Sequence, residues 1–199
     1  FVFSEMGVGK TASAAWAADY LLKKKRIKRV LVVCPLSIMK AAWQRDLFSV
    51  LPHRSVGIAH GAVSTRRKII AGDYEFVVIN YDGILTVLDE LIAANFDFIV
   101  ADESSYLKNV STHRWKAFHK LAKASPRVVL MTGTPAAQSP VDAFGLAKII
   151  CPDRVPRFFG GWRDVVMQKI TMFKYTPRPR ADDIVFAALQ PAIRYTKNE

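Results

Sequence analysis

Three short stretches of this chain carry side chains of the right type and spacing for phosphate chemistry. The first is Ser4-Glu5-Met6-Gly7-Val8-Gly9-Lys10-Thr11. Gly7 and Gly9 let the backbone turn tightly and aim N–H groups at phosphate oxygens, where a Cβ would intrude. Lys10 supplies a point charge for β- and γ-phosphates, and the Thr11 hydroxyl suits a Mg²⁺ ion. A helix beginning near Thr11 adds the positive end of its dipole to the same anion. The strict loop signature has a further glycine at position 4, where this chain has Ser4. The second stretch is the acid pair Asp102-Glu103, which follows the apolar Phe98-Ile99-Val100-Ala101. Asp102 is placed to hold Mg²⁺ through its water shell, and Glu103 to orient and deprotonate an attacking water. The third is Thr132-Gly133-Thr134-Pro135, whose hydroxyls could link the γ-phosphate region to a neighbouring surface. Each has a plainer alternative: a Gly-rich turn with a solvated Lys, two acids opening a loop, a strand-to-helix turn with Pro135 at its helix start.

The elements that would position these groups are legible as apolar runs. Val30-Leu31-Val32-Val33-Cys34, Phe76-Val77-Val78-Ile79, residues 98–101 and Val128-Val129-Leu130-Met131 do not alternate with polar residues. That pattern predicts strands buried on both faces. Helices are predicted over residues 11–26, 37–50, 82–94 and 111–124, with Ala15, Trp16, Leu21 and Leu22 able to face a sheet. Strand and helix in alternation predict an α/β fold with a parallel sheet and right-handed crossovers. Ligands in such sheets bind at the carboxyl ends of strands, where residues 4–11, Asp102 and Thr132 would all lie. Beyond Pro152 no further strand is predicted. Residues 153–199 read as a small helical extension with a Pro/Arg-rich loop, so residues 1–152 form the expected lobe.

A net charge of +12 on 199 residues points to a polyanionic partner, nucleic acid first among them. A merely solubilising surface is the other reading, and Lys23-Lys24-Lys25-Arg26 is read as a solvated helix end. Cys34 and Cys151 do not make a disulfide framework and read as small buried hydrophobes in a reducing compartment. No apolar run approaches the roughly 20 residues that span a bilayer, so no membrane partner is expected. Phe1-Val2-Phe3 runs straight into the glycine turn, as though the chain starts inside its first strand.

In this order the pieces resemble the first lobe of superfamily two helicases, which has a RecA-like fold, and most closely the Swi/Snf family of DNA-translocating ATPases. Residues 4–11 stand where that family has Glu-Met-Gly-x-Gly-Lys-Thr. Val33-Cys34-Pro35-Leu36-Ser37 with Trp43, His60-Gly61 with Arg66-Arg67, and Ile79-Asn80-Tyr81-Asp82 resemble successive family motifs. Asp102-Glu103-Ser104-Ser105-Tyr106-Leu107-Lys108-Asn109 is similar to its Asp-Glu-x-His-x-x-Lys-Asn signature. Residues 132–135, Ile149-Ile150-Cys151-Pro152 and Arg194-Tyr195-Thr196-Lys197 follow in order. The resemblance implies a three-layer lobe with helices on both faces of a mainly parallel sheet, using ATP and Mg²⁺. Glu5, Met6, Gly7, Val8, Gly9, Lys10 and Thr11 would bind the nucleotide; Thr11 and Asp102 the metal; Lys10, Asp102 and Glu103 would be catalytic. Ser37, Lys40, Asn80, Tyr81, Lys108, Asn109 and Thr134 would contact duplex DNA with little base specificity. Ser105, Thr132, Gly133 and Thr134 would couple the two sites. Core packing is the favoured role for Trp43.

Two departures stand out. Ser105 occupies the usual His position, and Ala137 stands where many members have Gln, with Gln138 adjacent. The family's second RecA-like lobe, with its arginine fingers, is not in this chain and is an expected partner. Alternatives are a restriction-type or strand-unwinding motor, a small-molecule kinase with a phosphate loop, and a DNA-binding module with a dead loop. The compact motifs fit a bacterial or phage protein, hence a cytoplasmic, nucleoid-associated one; a eukaryotic version would be nuclear.

Overall fold

The computed structural model describes residues 1–3, 9–39, 43, 45–136, 138–172 and 174–194. Its centre is a six-stranded sheet in which every pairing is parallel. The strands are β1 (Val2–Phe3), β2 (Val30–Cys34), β3 (Val56–Ala59), β4 (Phe76–Asn80), β5 (Phe98–Ala101) and β6 (Val128–Thr132). Their spatial order is β1-β6-β5-β2-β4-β3. The four apolar runs thus become strands, β2 and β4 without an exposed residue. β3 was not predicted: its pattern of alternating partial burial suits an edge strand and carries no continuous apolar run.

Successive residues of β2 point to opposite faces, as the pleat requires. Val30, Val32 and Cys34 join a core with α1 (Lys10–Lys23), Met39, Trp43 and Leu47. Leu31 and Val33 join the larger core on the other face. The short α2 (Leu36–Ile38) and α3 (Arg45–Val50) follow β2. α4 (Val63–Ala71), α5 (Tyr81–Ile84), α6 (Leu88–Ala93), α7 (His113–Lys123) and α8 (Ala143–Ile150) contribute to the larger core. The helix expected over residues 82–94 is two pieces, broken where Thr86 Oγ1 donates to the Gly83 carbonyl at 2.8 Å. α7 begins two residues later than expected because Thr112 caps it, accepting the Trp115 N–H at 3.2 Å. On α1 it is Ala15, Ala18 and Leu22 that face the core, while Trp16 points outward.

The segment after Pro152, expected as a helical extension with a Pro/Arg-rich loop, also contains two strands. α9 (Phe159–Val166) leads into an antiparallel hairpin, β7 (Met167–Lys169) and β8 (Tyr175–Pro177), before α10 (Ala181–Ala188). Its strands have three residues each, too short to show a period in the sequence. Trp162, Val166, Val185 and Leu189 belong to the larger core, and Ile193 pairs with Val2 beside β1. Among the described residues no helix is long and apolar enough to cross a membrane.

Candidate nucleotide and nucleic-acid site

With every pairing parallel, the carboxyl ends of β1, β5 and β6 lie along one edge of the sheet, which brings Asp102-Glu103 beside Thr132-Gly133-Thr134. Glu5, Met6, Gly7, Val8 and Lys40 lie outside the described residues. Gly9 sits at the mouth of α1 with φ +79°, a left-handed conformation that side chains with a Cβ resist. Among the described residues no side chain caps α1 and no acid lies in its first turn, so no anionic side chain of that turn competes for its amino-terminal N–H groups. Lys10 and Thr11 open the helix. The ammonium of Lys10 lies near enough to Asp102 to lower its pKa by charge.

Asp102 is almost fully buried. Burial pushes its pKa up; hydrogen bonds from the Trp43 indole and the Glu103 N–H oppose this, the Glu103 charge reinforces it, and Lys10 opposes it. The Trp43 Nε1–H donates to Oδ2 at 2.8 Å, and the Glu103 N–H to Oδ1 at 2.9 Å. The buried Tyr81 hydroxyl donates to the Asp102 carbonyl at 2.8 Å, and its own pKa is raised by burial. A carboxylate desolvated to this degree is short of positive charge, which a bound cation would supply. Among the described residues no cluster of three His, Cys, Asp or Glu exists. One carboxylate and a hydroxyl suit Mg²⁺, which keeps its waters and takes substrate phosphates as further ligands. Asp102 and Thr11 therefore fit the ion.

Glu103 turns the chain out of β5 through a left-handed residue, φ 50° and ψ 55°. Such a conformation costs a non-glycine residue roughly 1–2 kcal/mol. It sets the carboxylate against β6, where Oε1 accepts the Thr132 hydroxyl at 3.1 Å and the Ser105 hydroxyl at 2.6 Å. Thr132 Oγ1 in turn accepts the Thr134 N–H at 3.3 Å. Ser105, Thr132 and Thr134 are thus linked with Glu103 by hydrogen bonds, and Gly133 lies in the chain between the two threonines. Ser105, in the family's usual His position, makes the shortest hydrogen bond of these contacts.

Around this centre Ser105, Tyr106, Lys108, Thr134, Pro135, Gln138 and Asp142 line a cleft of about 310 Å³. Lys108 Nζ donates to Gln138 Oε1 at 2.8 Å, and Gly145 of α8 lies so close to the Leu107 and Lys108 carbonyls that a Cβ would collide with them. Ser37, Asn109 and Thr134 are exposed and Lys108 partly so. Asn109 uses its Oδ1 to accept from the Ser111 N–H and hydroxyl. Tyr81 is a correction to the expected DNA contacts. It is buried, stacked 5.4 Å beneath the exposed Tyr106, with its hydroxyl committed to Asp102. Asn80 is buried as well, its Oδ1 without a partner. Cys34 is buried, and burial followed by the Asp102 charge pushes its thiol up to about 12, so it is inert. Cys151 is only half-buried and donates to the Gln190 carbonyl.

The sequence reading missed the hold on Asp102. Trp43 is core, as favoured, but its N–H also grips the carboxylate from 59 residues away. A Trp 59 residues before the acid it grips carries no signal of that bond in the sequence.

A family model for the SNF2-related domain matches residues 1–183. The chain belongs to that family. Over 157 residues it is 36% identical to the Xenopus tropicalis "SWI/SNF-related matrix-associated actin-dependent regulator of chromatin subfamily A-like protein 1", covering 77% of this chain and 16% of that one. It is 28% identical to the human "DNA annealing helicase and endonuclease ZRANB3" over 171 residues, 82% of this chain and 15% of that protein. The chain thus spans about one sixth of the curated relatives it matches. The Sulfolobus solfataricus SWI2/SNF2 ATPase core, solved in complex with dsDNA, superposes with a TM-score of 0.79 at 24% identity. That match covers 100% of this chain and 40% of that one, and shows that the SNF2-domain lobe has the RecA-like ATPase-core fold. Membership sets aside the small-molecule kinase reading.

Proposed function

We propose that this SNF2-related lobe binds ATP with Mg²⁺ and forms the amino-terminal half of a DNA-dependent ATPase that moves along duplex DNA. The observation that carries the reading is the convergence of Lys10, Asp102 and Glu103 at one sheet edge, with Lys10 close enough to act on the Asp102 charge. The α1 terminus and Lys10 would hold the phosphates, and Asp102 with Thr11 the metal. Bound Mg²⁺ would neutralise charge developing on the transferred phosphoryl group. Glu103 would accept the proton of the attacking water, with Ser105 and Thr132 fixing its orientation. Trp43 and Tyr81 would position Asp102 from behind.

The names of the relatives, a chromatin regulator and a DNA annealing helicase, and the dsDNA-bound structural neighbour support DNA as the track. Ser37, Lys108, Asn109 and Thr134 are the exposed candidates for phosphate and sugar contacts; Lys40 is proposed with them on the resemblance. A second RecA-like lobe would complete the charge clamp on the triphosphate, so the isolated chain should hydrolyse ATP slowly. The decisive experiment is Glu103→Gln in the full-length protein. DNA-stimulated hydrolysis should fall by roughly 10²–10⁴-fold, the usual contribution of a general base, with ATP binding retained. Undiminished hydrolysis by that variant would remove Glu103 from the chemistry and the reading with it.

A further inference from the structure

The β7–β8 hairpin stands apart from the rest of the surface. A two-stranded hairpin is marginal by itself, and this one is fixed at its root. The Arg163 guanidinium lies 4.7 Å from the Tyr175 ring centroid, the Arg178 N–H donates to the Val166 carbonyl, and Arg178 Nε donates to the carbonyls of Asp164 and Met167. Its free end is both apolar and cationic. Ile170 is 52% exposed and Met172 75% exposed. Residues 165–181 include Lys169, Lys174, Arg178 and Arg180 and no Asp or Glu. Arg180 is paired with Asp183, and Arg178 serves the root, but among the described residues no hydrogen bond or ion pair engages the ammonium groups of Lys169 and Lys174. Lysines on an edge strand guard against aggregation, yet a guarded edge gains nothing from a Met and an Ile held in water beside them.

The root also has an address. Met167 Sδ lies 3.8 Å from Ser139 Oγ, one residue beyond the Gln138 that receives Lys108. The hairpin therefore continues the carboxyl-end surface on which Lys108 and Thr134 lie.

We propose that the β7–β8 hairpin is a second grip on duplex DNA, in which Lys169 and Lys174 meet backbone phosphates and Ile170 and Met172 pack against sugars in the groove. The inference rests on DNA being the track of the motor. Charge complementarity selects this partner: a stretch with four cations and no acid fits a polyphosphate. Apolar side chains flanked by cations also match the way proteins seat against a minor groove.

The test uses the full-length protein and random-sequence duplex, titrated over a range of salt. Replacing both lysines (Lys169→Ala with Lys174→Ala) should weaken binding about tenfold at low salt and shallow the slope of log K against log salt by about two. Replacing the tip (Ile170→Ser with Met172→Ser) should weaken binding with the slope unchanged. ATP hydrolysis without DNA should stay at its original rate in both, which also reports that they fold. Affinity and slope equal to those of the unaltered protein in both variants would overturn the second grip alone, and is the result expected if the tip instead seats on an acidic protein. Absence of duplex binding by the unaltered protein would sink the DNA track as well.

Discussion

At the amino end of the sheet, Arg29 extends its guanidinium to the carbonyls of Ile70, Gly72 and Tyr74, and lies over the Phe96 ring. Beside it, Asp19 of α1 receives Lys23, His53 and Arg54, and Arg54 reaches on to Glu75. At the carboxyl end the arrangement is the reverse. Asn80 Oδ1 and Ser104 Oγ are buried without partners among the described residues, Glu103 is held in a left-handed conformation, and Asp102 is a desolvated carboxylate whose pKa is raised. One end has its charges matched inside the fold; the other keeps mismatched charge for something outside it. The contrast teaches that the sheet's matched charges and its proposed chemistry lie at opposite ends, since a site meant to bind phosphate and metal would leave its groups under-satisfied beforehand.

Changes at the two ends should therefore separate stability from activity. The largest stability effect is expected at the amino end. Asp19→Asn should cost about 3 kcal/mol at neutral pH, as removing one partner from a buried ion pair does. Burial alone would raise the Asp19 pKa, but hydrogen bonds from Lys23, Arg54 and His53 and the Arg54 charge hold it well below its ordinary 3.8. The stability it contributes is thus present in full above pH 3.8 and lost as pH falls through the depressed folded value. Denaturant melts from pH 7 downward should show a flatter acid limb in Asp19→Asn; an unchanged limb would mean that the pairing does not persist in solution.

Trp43→Phe touches both properties. Loss of the indole N–H leaves a buried carboxylate oxygen unpaired and should cost about 1–3 kcal/mol in unfolding free energy. The Mg²⁺ concentration for half-maximal hydrolysis should also rise several-fold, and replacement of the N–H by sulfur in an otherwise intact ring should reproduce that rise. A shift in melting temperature with no change in Mg²⁺ dependence would confine Trp43 to the core. The smallest effect is expected from Ser105→Ala, which removes one of two hydroxyl donors to Glu103. The maximal rate should fall several-fold, about 1 kcal/mol in barrier, with little change in stability. A loss as large as that of Glu103→Gln would show that Thr132 cannot orient the carboxylate alone.

Much of this was legible beforehand, for local reasons. The parallel sheet followed from apolar runs at β2, β4, β5 and β6, and the proposed phosphate-handling positions rest on residue types and spacing. β3 and the β7–β8 hairpin were not legible, being an edge strand of half-buried residues and two strands of three residues. Tyr81 shows a subtler miss: the family-like motif around it implied a DNA contact, but Tyr106 and Phe118 pack against its ring and its hydroxyl is bonded to the Asp102 carbonyl.

By itself the amino-acid sequence determined which chemistry this lobe could perform, because a glycine turn before Lys10 and an acid pair after an apolar strand are contiguous along the chain. Which groups hold that chemistry in place was decided only by the tertiary structure. The bonds from Trp43 and Tyr81 to Asp102, like those from Arg54 and His53 to Asp19, join residues tens of positions apart. Such pairs have no shared period or spacing, and arise only when helices on either side of one sheet settle against it.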